Sequence, residues 1–407
     1  MAVIGAGPIG MGVAWRLAQA GRRVTVFERD RAGRGAIWAA AGMLAPDAEI
    51  GFEELDLYRL GRESNARWPA FARELEAASG RPVGYDDAGT ILAADDRDSA
   101  AALRRLFAFQ QAHGARTTWL APDDALDLEP LLSPRLPAAV WSPDDHQVDN
   151  RLVPDALAEA VLRAGGEIRE QTPVAAVEPG DAPAVRLSDG TRVEARVVVL
   201  AAGAWSRHVG GLSPAAPVRP VAGQALALRV ADDALRLRHV IRGPRAYLVP
   251  KAYRVVVGAT SEERGDGAPV TAGGVYRLLD GAVRVVPAVE EWDWVETWTG
   301  LRPASPDHAP LLGDSPHAGV VYATGHYRHG MLLLPVTSDA VAALVSARLD
   351  GSEAVPDVLA PFSPRRLRDS GQWPVASGGP ASDSTASSGV EDASSTGPFP
   401  LATGPHP

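Results

Sequence analysis

The stretch AVIGAGPIGMGVAWRLAQAGRRVTVFE, residues 2–28, constrains the fold more than any other part of the chain. Residues 2–4 read as a short strand, Gly5 to Gly10 as a tight turn, 9–20 as a helix ending at Gly21, and 24–28 as a second strand. Two strands joined through one helix within about thirty residues make a β-α-β unit. Gly5, Gly7 and Gly10 carry the GxGxxG spacing. There the first glycine makes the turn, the second lets backbone approach a pyrophosphate, and the third permits close helix–strand packing. The helix start adds free N–H groups and a positive dipole end. Glu28 closes the second strand eighteen residues after Gly10, where a carboxylate accepts hydrogen bonds from a ribose diol. Together these features specify a dinucleotide site in an α/β Rossmann-like domain, without separating NAD from FAD.

Composition removes several chemistries. The chain has no cysteine, which excludes disulfides, thiolate nucleophiles, iron–sulfur clusters and a cysteinyl cofactor link. Lys251 is its one lysine; in LVPKAYRVVVG it reads as part of a hairpin turn rather than a Schiff base. No GK[ST] occurs, so there is no Walker-type phosphate loop. A net charge of −10 gives no reason to expect nucleic acid or an anionic membrane as partner, and no apolar run is long enough to cross a bilayer. The apolar N-terminus lacks a leading positive charge and is punctuated by glycines, so it reads as structure and the protein as cytoplasmic. Only four residues precede Gly5, a short first strand that leaves open a start upstream of Met1.

Further along, 52–80 is helical by periodicity, 81–146 mixes strand and helix, and 149–166 is a helix that Asp149 is placed to cap. Two short strands then lead to RVVVLAAGAWS; 217–298 is β-rich around one helix at 271–286, and a last helix spans 338–349. From residue 363 the composition turns to Ser, Gly, Pro and Ala. Such a segment cannot bury enough surface to offset chain entropy and is expected to be a disordered tail. Truncation after Pro361 is therefore expected to be nearly neutral.

Two stretches favour FAD over NAD. RVVVLAAGAWS ends an apolar strand at Gly203 and resembles the second nucleotide-contacting strand of glutathione-reductase-type flavoproteins. RGAIWAAAGMLAP, 34–46, brings Ala39, Ala40, Ala41 and Gly42, small enough for backbone to lie against a flat ring; a helix start chosen for alanine propensity is the equal alternative. The ordered set WAAAGMLAP, AYLVP, VVVGAT, WTGLRPASPD and GHYRHG resembles the glycine oxidases of thiamine biosynthesis, in the D-amino-acid oxidase family of flavoproteins, over residues 1 to about 350.

That resemblance implies a glutathione-reductase-type FAD-binding Rossmann-like domain with an inserted β-rich α+β substrate domain. The FAD-binding segments would be 1–80, 147–216 and 299–362, the substrate segments 81–146 and 217–298, and the tail 363–407. Besides Gly5, Gly7 and Gly10, it places Pro8, Ile9, Glu28, Arg29, Ala36, Ile37, Ala41, Gly42, Met43, Val174 and Gly203 at the FAD. The run His326, Tyr327, Arg328, His329, Gly330, Met331 and Leu332 joins them. Arg302, Tyr247 and Arg328 fall at substrate-contacting positions. From the residues alone, Arg302 could equally pair with Glu296 or Asp307, and Tyr247 could fill the core. His326 and His329 lack the HExxH helix or flanking carboxylates of a metal site, so no metal is expected. His308 reads as a solvated turn residue. Ile37 replaces a small hydroxyl residue of the family, and Ser261 an apolar one.

The implied activity is oxidation of glycine to its imine, then glyoxylate and ammonia, with O2 reduced to H2O2. The imine would feed thiazole assembly, with thiazole synthase as acceptor. The alternatives are a D-amino-acid or sarcosine oxidase or dehydrogenase on the same fold, and, more distantly, a non-catalytic flavin-binding module. The oligomeric state is open, a homo-oligomer included. Relatives that attach flavin through a histidine after the motif tryptophan have Ala39 here, so FAD should be noncovalent. The purified protein should be yellow and release intact FAD into the supernatant on acid precipitation. Flavin retained in the pellet would contradict this.

Overall fold

Alternation within the first strand sets up a sheet buried on both faces. In the computed structural model, which describes residues 1–373 except 50, 53 and 266, Ala2–Ile4 lies inside a six-stranded sheet. The order is Leu311–Asp314, Val320–Thr324, Val198–Leu200, Ala2–Ile4, Thr25–Phe27, Glu167–Arg169. All neighbours pair in parallel except the first two. Val3, Val26, Val199 and Val321 point to one core with the helices; Ala2, Ile4, Phe27, Leu200 and Tyr322 point to the other. Apolar residues on both faces are what a parallel sheet covered on two sides requires.

Helix Pro8–Gln19 covers the first face beside Leu152–Arg163 and Leu334–Leu349. Gly12 lets it approach the last of these, because a Cβ there would overlap Ser338 and Leu334. A three-stranded sheet, Val174–Glu178, Ala184–Leu187 and Arg192–Glu194, contributes to the second face. That is one strand more than the sequence reading allowed. Helix Leu152–Arg163 also starts later than expected. Asp149 does not cap it: its carboxylate accepts from the Arg151 backbone N–H at 2.9 Å and pairs with Arg254 at 2.9 Å. The helix expected at 338–349 begins four residues early, at Leu334, with Pro335 in its first turn, where a missing N–H costs nothing.

The second sheet has eight strands: Asp293–Ala304, Arg219–Arg229, Val255–Gly258, Tyr247–Pro250, Val240–Arg242, Thr90–Ala94, Ala138–Ser142 and Thr118–Leu120. Val240–Arg242 and Thr90–Ala94 pair in parallel and the rest are antiparallel. Helix Ala272–Val285, capped by Thr271 accepting from the Gly274 N–H at 3.1 Å, packs its apolar side on one face. The opposite face is turned toward residues 38–43.

The expectation of disorder from residue 363 is corrected. Arg365–Asp369 is a short helix; Leu367 and Trp373 are buried, and Trp373 stacks near Tyr322 with ring centroids 6.3 Å apart. Arg366 clamps Asp307 through two hydrogen bonds of 2.8 and 3.0 Å. Composition averaged over the tail hid two apolar residues, Leu367 and Trp373, that help to cover the second face of the six-stranded sheet. The part of the tail from residue 374 on lies outside the described residues. A chain ending at Pro361 should therefore be less stable than one ending at Pro374, by about 3 kcal/mol or more for the loss of three large buried side chains, Phe362, Leu367 and Trp373. Thermal melts of the two chains measure this, and equal melting temperatures would show that the segment contributes nothing.

Candidate active site

Register on the eight-stranded sheet aligns a row of residues on one face. Arg242 opposes Tyr247, Tyr247 opposes Gly258, Gly258 opposes Ala225, and Ala225 opposes Trp298. Directly opposed residues share a face, and so do residues two apart along a strand. Gly223, Gly300 and Arg302 therefore belong to this surface as well. Three of its members are glycines because bulk stands above each. A Cβ on Gly223 would come within 2.6 Å of the Arg302 Cζ, one on Gly258 within 2.6 Å of the Tyr247 Cζ, and one on Gly300 would overlap Ala39.

Ala39 belongs to the segment that faces this surface. Its carbonyl accepts from Trp298 Nε1 at 2.9 Å; Asn150 Nδ2 donates to the carbonyls of Ile37 at 3.2 Å and Trp38 at 2.8 Å. The Val148 N–H donates to the Gly42 carbonyl at 2.9 Å. Lys251 Nζ is buried behind this segment, donating to Gln147 Oε1 at 2.8 Å and the Val148 carbonyl at 2.6 Å. Burial pushes its pKa down to about 7, with Asp149 opposing the shift. It does not line the cavity described next.

A cavity of about 680 Å³ runs from the first β-α turn to the Arg302 end of the sheet face. At its nucleotide end, Gly7 is the N-cap of helix Pro8–Gln19, with no atom within 4 Å of where its Cβ would stand. Gly5 and Gly10 are closed in instead: Gly5, at φ +102°, abuts the Ala201 carbonyl, and Gly10 abuts Gly5. The Glu28 carboxylate is fixed by backbone donors, Ala6 at 2.8 Å and Asp30 at 3.1 Å. The Arg29 guanidinium lies 3.8 Å from the Trp205 ring centroid.

The peptide GHYRHG enters from the end of strand Val320–Thr324. The Tyr327 N–H donates to the Pro303 carbonyl at 2.8 Å, and its ring stacks on His308 at 4.5 Å. His308 does sit in a turn, at φ +61° and half-buried, and there it is also a stacking partner that meets Arg219 at 3.2 Å. His326 Nε2 meets Thr337 Oγ1 at 3.2 Å, and burial, with His329 beside it, pushes its pKa down to about 3. Burial lowers His329 too, so both rings are neutral near pH 7. The Leu332 carbonyl is tied to Ser64 Oγ at 2.7 Å and Trp68 Nε1 at 3.1 Å.

The proposed residues converge, with three exceptions. Gly5, Gly7, Pro8, Ile9, Glu28, Arg29, Ala36, Ile37, Ala41, Gly42, Met43, Val174, Gly203, Tyr247, Arg302, His326, Tyr327, Arg328, Gly330 and Met331 all line the cavity. Gly10, His329 and Leu332 do not; they pack the helix start and the loop that others present. Sequence reading missed Trp205, the glycine row, and a charged pair, Glu49 and Arg242, that also lines the cavity. The glycines had a signal: VAG, VVVG and WTG each break a strand with a residue that normally weakens it.

Arg302 Nη1 donates to the Thr260 carbonyl at 3.0 Å and the Ala222 carbonyl at 3.4 Å, and no carboxylate pairs with it among the described residues. The partners weighed from sequence are taken elsewhere: Glu296 pairs with Arg151 at 2.6 Å and Asp307 with Arg366 at 2.8 Å. Arg328 is exposed; it reaches Ser261 Oγ at 3.5 Å and lies 5.1 Å from the Tyr327 ring centroid. Burial raises the Tyr247 pKa, the Arg302 charge partly opposing it, so the phenol stays a neutral donor. The residues fit an extended dinucleotide: bare backbone at Gly7, an oriented carboxylate at Glu28, and a small-residue segment facing the arginine-bearing sheet.

The model of the family described as FAD dependent oxidoreductase matches residues 1–344. The glycine oxidase of Geobacillus kaustophilus is 37% identical over 369 residues, covering 89% of this chain and 96% of that protein. The bifunctional protein ThiO/ThiG of Synechocystis is 36% identical, and the match covers 92% of this chain and 55% of that longer protein. The crystal structure of the Geobacillus kaustophilus glycine oxidase superposes with a TM-score of 0.81 at 35% identity, covering 89% of this chain and 97% of that one.

Gly223→Ala should displace the Arg302 guanidinium while leaving the nucleotide end untouched. A displacement on the order of 1 Å costs roughly a hundredfold in rate. Turnover should fall by about that factor with FAD affinity unchanged; unaltered kinetics would show that Arg302 does not depend on this clearance.

Proposed function

The chain belongs to the family of FAD-dependent oxidoreductases, and from that premise we propose that it oxidises glycine to the imine with O2 as electron acceptor. It is an amine oxidoreductase holding FAD noncovalently. The observation that carries the substrate assignment is Arg302: a guanidinium in the cavity with two main-chain acceptors and no acid partner among the described residues. A desolvated arginine needs an anion, and its planar fork matches a carboxylate in two parallel hydrogen bonds. Identity to proteins named glycine oxidase supports glycine as the amino acid.

Each residue has a defined task on this reading. Gly5, Gly7 and the start of helix Pro8–Gln19 receive the pyrophosphate, Glu28 the ribose, and Ala41, Gly42 and Met43 the ring system. FAD, when bound, supplies the two-electron oxidant whose electrons pass on to O2, giving H2O2. Arg302 takes the substrate carboxylate. Tyr247 keeps its own proton and donates it as a second hydrogen bond to that carboxylate, and Arg328 closes the outer side. Orientation supplies the rate: well-aligned groups reach effective molarities on the order of 10⁵ M. The nitrogen loses its proton to solvent before the Cα–H bond breaks, so no side-chain base is required.

We further infer that the imine passes to a thiazole synthase in the cytoplasm. The relatives named ThiO/ThiG support this, and this chain spans about half of their length. Arg302→Ala should lower kcat/KM at least a hundredfold, about 3 kcal/mol for a carboxylate left without its charged partner, while FAD stays bound. Peroxide formation should favour glycine and sarcosine over D-phenylalanine and D-proline. A tenfold lead for either bulky substrate would end the glycine assignment and leave the flavin chemistry standing.

A further inference from the structure

The cavity does not stop at Tyr247. It continues past the phenol along Arg242, Pro244 and Ala246, with Glu49 beside Arg242. Arg242 and Tyr247 are register partners on adjacent strands, so the arginine stands beside the phenol on the same surface. Arg302 lies on the other side of Tyr247, with two strands between theirs. All three arginines, 242, 302 and 328, and Glu49 act electrostatically on the Tyr247 hydroxyl, which places these charges around one volume.

The charges in that volume do not balance. Arg242, Arg302 and Arg328 contribute three positive charges and Glu49 one negative, which leaves two positive. Glycine with its amine neutral brings a single negative charge. Arg245, further out, is excluded because it pairs with Asp95 at 3.3 Å. The Arg242–Glu49 contact is loose: one Nη2–Oε1 approach at 3.5 Å, with Nε on the Ala48 carbonyl at 3.2 Å. The fork of Arg242 is thus not engaged in bidentate fashion by Glu49, and 27% of its side chain remains exposed. A second carboxylate would find there the geometry that Glu49 does not supply.

We propose that Arg242, beside Tyr247, forms a second anion subsite, so that the site takes amines carrying two carboxylates as well as glycine. The inference rests on the amine-oxidising reading above. The α-carboxylate goes to Arg302 and Tyr247, and the second carboxylate goes to Arg242. That second group can hang from Cα, as in D-glutamate, or from nitrogen, as in a bis(carboxymethyl) amine. Both present the same anion, and separate arms of the test tell them apart.

The holoenzyme is assayed with D-glutamate against its neutral isostere D-glutamine, and with iminodiacetate against sarcosine. Glutarate and butyrate are compared as inhibitors of glycine oxidation and as ligands perturbing the flavin absorbance. At least one dicarboxylate should exceed its neutral counterpart tenfold in kcat/KM, and glutarate should bind at least tenfold tighter than butyrate. Arg242→Met should bring both ratios to about one, whatever happens to the absolute rate. Ratios near one in the unmodified enzyme, or preserved in the variant, would overturn the subsite. If the variant fails to fold, the glutarate–butyrate comparison on the unmodified enzyme decides. Failure of glycine and every other amine to react would sink the functional reading instead, while the absorbance titration would still judge the subsite.

Discussion

The close approach of residues 38–43 to the glycine-bearing face of the eight-stranded sheet is the contact on which the site depends. Trp298 makes it possible from the sheet side, donating from its indole to the Ala39 carbonyl, while Gly300 leaves room for the Ala39 methyl. From behind, Asn150 and Val148 hold the same segment by its backbone, and Lys251 holds Val148. A buried carbonyl left without a donor costs about 1–3 kcal/mol, so these bonds fix the path of the segment. Arg151 adds to the clamp by lying 3.9 Å from the Trp38 ring centroid and pairing with Glu296. The two sheets are locked at one spacing there, and the cavity is what that spacing leaves open.

The same face explains why the substrate end is arranged as it is. Strands present residues alternately, so a single face can carry Arg242, Tyr247 and Arg302 only if the residues between them are small. Gly223, Gly258 and Gly300 meet that need at the cost of strand propensity. The opposite face of the same strands bears Leu226, Leu228, Leu248 and Val257, packed beneath helix Ala272–Val285. The larger apolar cluster lies on that side of the sheet, which leaves room on the other for the guanidinium groups of Arg242 and Arg302. This division places the rigid packing directly under the residues that must be held still.

Much of this was legible in the chain because the informative signals are local. The β-α-β unit, the spacing of Gly5, Gly7 and Gly10, and Glu28 at the second strand's end follow from short-range pattern, and each sits where that pattern puts it. Convergence of Arg302, Tyr247 and Arg328 was accessible only through resemblance, since strands far apart in sequence bring them together. Glu49 and Arg242 were illegible for a related reason. Each is an ordinary charged residue in an unremarked segment, and only the register of Arg242 against Tyr247 puts it on the cavity face. The docked residues 363–373 failed differently. Average composition outweighed Leu367 and Trp373, whose burial depends on the sheet face bearing Leu311 and Tyr322, which the sequence does not announce.

The charge distribution follows from these placements. The chain as a whole carries a net charge of −10, yet the substrate end of its cavity is lined by arginines. An acidic surface repels anionic substrates at distances within the Debye length, about 8 Å at physiological ionic strength. A positive recess inside that surface draws them in over the last few ångströms, where low-dielectric walls strengthen the attraction. Arg328 is suited to the outer step because it is exposed and lightly held, by Ser261 Oγ at 3.5 Å and the Tyr327 ring at 5.1 Å. Arg302 is suited to the inner one, being fixed by the Thr260 carbonyl and by the clearance at Gly223. Capture and alignment thus fall to different arginines: the exposed one meets the anion first, and the fixed one determines where its carbon stops.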